Sequence, residues 1–236
     1  ELRFGPNIKD WPEMPALTDD LLVKVCSYIT DPVTTTDELI PSGETSSYRS
    51  NPERLSEFAL SRRDPQYVSR SKEVRQIERD REAGKALPEE VRNVYAALTK
   101  AGVKNDPAHT DIGSTIFANM PGDGSAREQA ASCQRVMGAS ANFAKQYATK
   151  RYRSNCINWG MTPFLVENPE VFALGDYIFI PGLRQAVLEN KASFSAYVVK
   201  ADGTVTEFPV STGALTEPER QIIADGCLIN YYRNNQ

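Results

Sequence analysis

Apolar and polar positions along the chain form two recurring patterns, short apolar runs and longer amphipathic stretches. The apolar runs predict strands at residues 21–29, 114–119, 139–144 and 161–166, and residues 177–182 predict a strand followed by a turn. Stretches with helical spacing or helix start and stop signals predict helices at residues 52–60, 68–83, 88–101, 130–137 and 148–159. Because strands and helices alternate from residue 114 to 166, the pattern indicates parallel β-α-β units, with anion sites expected at the carboxyl ends of the strands.

The two ends of the chain carry different signals. Three prolines in residues 1–20 predict an irregular lead-in, and the hydroxyl-rich and acid-rich residues 30–43 predict a loop. Near the other end, residues 193–199 and 204–210 flank Ala201-Asp202-Gly203, which predicts a hairpin. Thr216 and Glu219 have capping-box spacing and predict a C-terminal helix, which we expect to bury Ile222, Ile223, Leu228 and Ile229.

Residues 121–129 form a glycine-containing turn between a predicted strand and a predicted helix. Ser125 and Glu128 have the spacing of a capping box, which predicts Ser125 as the N-cap of that helix. One interpretation is a well-capped helix with no further role. The alternative is an anion site, because two glycines let a ligand approach the backbone and Arg127 follows the serine. The positive end of the helix and this guanidinium would also favour the alkoxide form of Ser125.

Composition indicates one ordinary soluble globular protein, with 236 residues of which 40% are apolar and 25% charged. The net charge of −4 favours neither nucleic acid nor an anionic membrane as partner. The charged residues 51–86 are interpreted as a solvated helix surface, because their signs are mixed. No apolar run reaches the length of a membrane span. Since the chain begins at Glu1 without a signal-peptide pattern, we expect a processed chain or part of a longer one.

Cysteine and histidine usage predicts no metal site in this chain. The four cysteines contain no C-x-x-C spacing, so we expect separate buried thiols in a reducing cytoplasm. The only histidine, His109, lies in a polar segment and is expected on a surface loop. A Ser-His-Asp hydrolase therefore has little support.

The residues Gly124-Ser125-Ala126-Arg127-Glu128-Gln129-Ala130-Ala131 resemble a family motif. The motif is the Gly-Ser-Ser-Arg-Glu-His-Ala-Ala signature in the swivelling domain of the aconitase and isopropylmalate isomerase superfamily. Upstream, Thr35-Thr36-Asp37 is similar to the Thr-Thr-Asp-His-Ile-Ser segment of this superfamily, and the arginine expected twelve residues after the aspartate falls on Arg49. Ala126, Gln129 and Glu38 replace a serine and two histidines of the family pattern.

The resemblance implies an α/β fold, a three-layer β/β/α swivelling domain with a mixed, mostly parallel sheet and a C-terminal hairpin and helix. It covers most of residues 15–232, so the whole chain of residues 1–236 is expected to be a single swivelling domain. Residues 1–20 would be the lead-in and residues 50–113 a helical insertion. In that family the domain closes over a [4Fe-4S] cluster that other domains hold, so this chain would bind no cofactor itself.

The implied activity is reversible dehydration and rehydration of a hydroxy di- or tricarboxylate such as citrate or isocitrate. By position, Ser125 would be the catalytic base, and Asp37 would be the acid that keeps the site in order. Arg49 and Arg127 would bind substrate carboxylates, with Gly124 and Ala126 at the same substrate-binding turn. The expected partners are cluster-bearing aconitase-like domains in the same chain or in a partner subunit, and the isolated domain should be inactive.

Two other interpretations stay open. The chain could be a separate small subunit, as in isopropylmalate isomerases that assemble from two chains. It could also be a non-catalytic relative that binds RNA or has a regulatory role, which the acidic net charge disfavours.

Overall fold

A computed structural model describes residues 3–236 of the chain. The strands are β1 (Asp20–Ile29), β2 (Thr34–Thr35), β3 (Thr110–Ala118), β4 (Pro121–Asp123), β5 (Ala139–Ala144), β6 (Thr162–Leu165), β7 (Tyr177–Ile180), β8 (Phe194–Val199) and β9 (Val205–Val210). The α-helices are α1 (Thr36–Leu39), α2 (Ser42–Thr45), α3 (Pro52–Ser56), α4 (Tyr67–Glu82), α5 (Glu89–Lys100), α6 (Arg127–Val136), α7 (Lys150–Asn158), α8 (Leu183–Leu188), α9 (Glu217–Asp225) and α10 (Leu228–Asn234). Short 3-10 turns lie at Ser46–Tyr48, Pro107–His109 and Pro169–Val171.

A seven-stranded mixed sheet forms the centre, in the order β6-β5-β3-β1-β7-β8-β9. Strands β1, β3, β5 and β6 are parallel to one another, and β7, β8 and β9 join as antiparallel neighbours. The predicted parallel β-α-β units and the predicted hairpin of β8 and β9 are therefore confirmed. A second, two-stranded parallel sheet pairs β2 with β4.

Both faces of the sheet are covered by helices, and the central strand β1 is therefore buried on both sides. Leu22 and Cys26 of β1 pack into one core cluster, together with residues of α3, α4, α5 and α6. Leu21 and Val23 of the same strand pack into a second cluster, with residues of α8 and α9. This arrangement explains why residues 21–29 read as a nearly continuous apolar run.

The helical segment between β1 and β3 is part of the core. Helix α4 forms the crossover between these parallel strands, and its Ser71 hydroxyl is hydrogen-bonded to Ser114 of β3 at 2.6 Å. Helix α5 buries Val91, Tyr95 and Leu98, as the helical spacing predicts. After α5, residues 101–106 contain no helix, and the 3-10 turn at Pro107–His109 leads into β3. That residues 50–113 are an insertion relative to the family stays a prediction.

Three local predictions are wrong. Residues 30–43 are not a plain loop, because they contain β2 and α1, and Thr35 and Glu38 form a reciprocal capping box. Helix α8 follows β7 where only a turn is expected, and it buries Leu183, Ala186 and Val187 at helical spacing. The C-terminal helix is interrupted at Gly226, whose φ of +99° ends α9, and Ile229 of α10 is consequently exposed.

The lead-in within the described residues has no helix or strand before β1, as predicted. Its backbone is nevertheless held to the domain, since the Leu17 amide donates to the Ala224 carbonyl at 3.1 Å. The Thr18 amide donates to Asp111 of β3 at 3.0 Å. Among residues 3–236, no helix is long and apolar enough to cross a membrane.

Candidate active site

The glycine turn between β3 and α6 is built at the carboxyl end of the parallel strands. Gly122 has a φ of +103°, and a Cβ there would lie 2.4 Å from the Tyr152 ring. Gly124 has a φ of +132°, and a Cβ there would lie 2.3 Å from the Thr36 hydroxyl. Both positions therefore require glycine, for conformation and for space. The turn carries Ser125 to the surface at the start of α6.

The predicted capping box at Ser125 is wrong. The N-cap of α6 is Ala126, whose φ of −83° and ψ of 41° differ from the extended geometry of a capping residue, and no side chain caps this helix. The Glu128 carboxylate does not reach back to the turn but accepts a hydrogen bond from the Trp159 indole N–H at 3.1 Å. The prediction failed because the Glu128 side chain has a tertiary partner.

The open N-terminus of α6 leaves hydrogen-bonding groups free. Ser125 is exposed, and its hydroxyl has no hydrogen-bond partner within residues 3–236. The first backbone bond of the helix runs from the Ala130 amide to the Ala126 carbonyl. The three preceding amides have no acceptor in the described part of the chain, so they are available to an anion.

Arg127 adds a cation to this open end as the first residue of α6. Its side chain is half-buried, and its Nε is buried without a hydrogen-bond partner. No carboxylate of residues 3–236 lies within ion-pair distance of its guanidinium. A desolvated guanidinium without a counter-charge is suited to a carboxylate or phosphate ligand.

Asp37 lies next to this turn because β2 pairs with β4. In that ladder Thr35 is in register with Asp123. The residues that follow them are also close, since a Cβ on Gly124 would meet the Thr36 hydroxyl. The exposed Asp37 carboxylate accepts from the Ser42 amide at 3.2 Å and from its hydroxyl at 3.1 Å. Its other oxygen is 3.4 Å from Arg62. Asp37 thereby orders the turn between α1 and α2.

Arg49 ends the 3-10 turn that follows α2. The preceding Tyr48 stacks on Phe58, with ring centroids 5.5 Å apart, and the Arg54 guanidinium lies 5.0 Å from the Tyr48 ring centroid. Helix α3, which follows, packs on α6. Arg49 itself is exposed, and its guanidinium has no partner within the described residues. The structure thus places Asp37 beside the Ser125 turn. Arg49 lies on a separate turn before α3, and its side chain makes no hydrogen bond or ion pair with the described residues.

The departures from the family motif have structural counterparts. Ala126 packs partly against the main core cluster and offers no second hydroxyl. Glu38 caps α1 by accepting from the Thr35 amide at 2.7 Å. The capping box of Thr35 and Glu38 was not predicted from the sequence, although the two residues have the T-x-x-E spacing of this motif. Sequence reasoning also missed Arg62, for which no local signal exists because its partner Asp37 lies 25 positions away.

The cysteines do not form a cluster-binding set. All four are free and buried, and burial raises the pKa of the Cys26, Cys133 and Cys156 thiols to about 12. Within residues 3–236 no three histidine, cysteine or acidic side chains are grouped to hold a metal ion. The residues of this chain therefore do not fit an iron–sulfur cluster.

His109 lies at the surface, as predicted, in the 3-10 turn before β3. Its Nδ1 is 2.7 Å from the Asp106 carboxylate, and this hydrogen bond raises the pKa of His109. The open end of α6 is at the other end of β3, so His109 takes no part in the candidate site.

Comparison with known proteins finds solved structures of similar fold. One of them is a crystal structure of 3-isopropylmalate dehydratase from Methanocaldococcus jannaschii, and the similarity covers 91% of this chain and 95% of that one, with a TM-score of 0.53 and 19% sequence identity. The chain shares the fold of a 3-isopropylmalate dehydratase. No model of a protein family matches the sequence, and no curated protein matches it either.

The predicted α/β fold is confirmed by this dehydratase and by the mixed sheet. At 19% identity the likeness extends to the fold, and the activity has to be argued from the site residues.

Proposed function

We propose that this chain is a component of an aconitase-like hydro-lyase, which reversibly dehydrates and rehydrates a hydroxy di- or tricarboxylate. The observation that carries the proposal is the uncapped N-terminus of α6: Ser125 precedes the N-cap Ala126, and Arg127, whose buried Nε has no acceptor within residues 3–236, follows it. The shared fold with a 3-isopropylmalate dehydratase supports it. The substrate is a citrate- or isocitrate-like acid, or an isopropylmalate-like acid.

Substrate carboxylates bind to the arginines in this proposal. Arg127 presents its guanidinium next to the free amides of the first turn of α6, and together they can hold one carboxylate. Arg49 on the neighbouring turn holds a second carboxylate of the same substrate. A substrate with two or more carboxylates is therefore bound between the α6 turn and the Arg49 turn.

Ser125 acts as the base. Its alkoxide removes the proton from the carbon next to a substrate carboxylate, the electron pair of that C–H bond forms the carbon–carbon double bond, and hydroxide leaves from the adjacent carbon. Rehydration reverses these steps. Serine is a weak base in water, but helix N-terminal amides and a nearby guanidinium stabilise its anionic form. Asp37 keeps the α1–α2 turn in place beside this group through Ser42.

The partner in this proposal is a set of cluster-bearing aconitase-like domains. Since the thiols of this chain do not fit a [4Fe-4S] cluster, that cluster would belong to the partner, and it would polarise the departing hydroxyl. The partner domains would lie in the same chain or in a large subunit. In the second case this chain is the small subunit.

Activity of the assembled enzyme tests the proposal. The chain is joined to its cluster-bearing partner under anaerobic conditions and assayed on citrate, cis-aconitate and 3-isopropylmalate. Ser125→Ala should lower kcat by about a thousandfold or more, while Arg127→Lys should mainly raise KM because a bidentate carboxylate contact is lost. Full activity of Ser125→Ala, or no turnover of any of these acids by an enzyme with an intact cluster, would overturn the proposal.

A further inference from the structure

The only two tryptophans of the chain are in contact, although they belong to segments far apart in sequence. The ring centroids of Trp11 and Trp159 are 4.4 Å apart, with an interplanar angle of 46°. Trp11 belongs to the lead-in, and Trp159 is the residue that ends α7. Aromatic pairs at this distance attract each other beyond their burial. The pair therefore fastens the lead-in to α7.

Trp159 continues this connection to the candidate site. Its indole N–H donates to Glu128 Oε1 at 3.1 Å, and Glu128 directly follows Arg127 in the first turn of α6. This turn has no capping side chain of its own. The hydrogen bond from Trp159 thus restrains the start of α6 from outside the helix. A chain of contacts runs from Trp11 through Trp159 and Glu128 to Arg127 and Ser125.

The lead-in also contacts the turn that carries Arg49. The Lys9 amide donates to the carbonyl of Ser50, which directly follows Arg49, at 3.0 Å. Further along, the lead-in is held to α10, where the Asn230 side chain donates to the Met14 carbonyl. The lead-in therefore contacts the Arg49 turn directly and is linked to the first turn of α6 through Trp159.

We infer that residues 9–17 act as a strap that sets the position of the candidate active site, with Trp11 and Glu128 as positioning residues. This inference rests on the proposed function. Glu128 acts by accepting the Trp159 hydrogen bond, so its acceptor oxygen matters and its negative charge does not. Small displacements of a base or of a carboxylate-binding arginine lower the rate strongly, because the reacting atoms must be held at near-contact distance.

Hydrogen exchange tests the structural half of the inference without any assay of turnover. Amide exchange in residues 130–133, the first hydrogen-bonded amides of α6, is compared between wild type, Trp11→Ala, Glu128→Ala and Glu128→Gln. We expect about tenfold faster exchange in the two alanine variants and wild-type exchange in Glu128→Gln, which keeps the acceptor oxygen. Phe4→Ala is the matched control, since Phe4 is an aromatic residue of the lead-in that is 53% exposed. Unchanged exchange in both alanine variants would overturn the inference.

Turnover of the assembled enzyme tests the functional half. Trp11→Ala and Glu128→Ala should lower kcat/KM about tenfold, with Glu128→Gln and Phe4→Ala near wild type and an unshifted pH profile in every variant. If Ser125→Ala abolishes turnover but the two positioning variants are fully active, the inference is wrong and the proposed function stands. Loss of activity in Glu128→Gln equal to that in Glu128→Ala would show that the charge is needed, which contradicts positioning. An enzyme without turnover on any of the acids overturns both.

Discussion

At the scale of single residues, the candidate site depends on groups that have no partner within residues 3–236. A serine that caps a helix has its oxygen engaged by a backbone amide, whereas the hydroxyl of Ser125 is free because Ala126 is the N-cap of α6. Arg127 likewise has a buried Nε without an acceptor. Leaving a buried polar atom unpaired has an energetic cost in a folded protein, so the Arg127 Nε points to a ligand. The failure of the predicted capping box thus supports the proposed role of Ser125.

Replacing Gly124 by alanine should damage the turn that presents Ser125. With a φ of +132° and only 2.3 Å between the added Cβ and the Thr36 hydroxyl, we expect the free energy of unfolding to fall by about 1–3 kcal/mol. Urea denaturation measures this change. Gly43→Ala is the control, because nothing lies within 4 Å of a Cβ there, and it should be nearly neutral. Equal stability of Gly124→Ala and wild type would contradict the strained geometry assigned to this turn.

At the scale of elements, the helices differ in how they begin. Threonine side chains cap α1, α7 and α9, and in α1 and α9 the third helical residue completes a capping box. Helix α6 begins without such a cap. The first-turn amides of α6 therefore have no side-chain acceptor. In each of the other three helices, one first-turn amide donates to the capping threonine. Among these four helices, the one with the open end is the one that carries Arg127.

This difference predicts that Thr216→Ala and Ser125→Ala have different effects on the free energy of unfolding. Thr216→Ala removes the cap of α9 and should lower the free energy of unfolding by about 1 kcal/mol. Ser125→Ala removes a hydroxyl that makes no hydrogen bond within the described residues, so it should leave stability almost unchanged. Thermal unfolding of the two variants beside wild type measures both effects. A loss at Ser125 as large as that at Thr216 would indicate that the serine caps α6 after all.

At the scale of the whole molecule, a polar network joins three segments at the end of the sheet opposite the candidate site. Glu78 of α4 accepts hydrogen bonds from Arg81 and from the Ile112 amide of β3. Arg81 also lies 3.3 Å from Asp111, which holds the lead-in through Thr18. Burial raises the pKa of Glu78 to about 7, so the network contains a carboxyl group that titrates near neutrality.

The raised pKa of Glu78 predicts a pH dependence of stability. An acid whose pKa is higher in the folded than in the unfolded protein stabilises the fold fully below the unfolded value, near 4.5, and loses this contribution as pH rises to about 7. Glu78→Gln cannot ionise and should lack this loss. The free energy of unfolding of wild type relative to Glu78→Gln should therefore fall by about 2 kcal/mol between pH 5 and pH 8. Urea denaturation at both pH values measures it, and a constant difference would contradict the prediction.

The sequence by itself determined the features that depend on neighbours along the chain. Apolar periodicity predicted β1, β5 and the hairpin of β8 and β9, because the side-chain spacing of a strand or helix is a local property. The Thr216 capping box was readable for the same reason. The turn motif around Ser125, through its resemblance to a known family, also predicted the α/β fold that the structural relative confirms.

Only the tertiary structure decided how the candidate site is assembled. The Glu128 carboxylate is engaged by Trp159, 31 positions away, and not by the backbone of the Ser125 turn. Asp37 reaches the Ser125 turn through the pairing of β2 with β4, and the lead-in reaches it through Trp11. No local pattern encodes such contacts, because they depend on which distant surfaces the folded chain brings together. Free polar groups and long-range partners therefore become visible only once the chain has been packed in three dimensions.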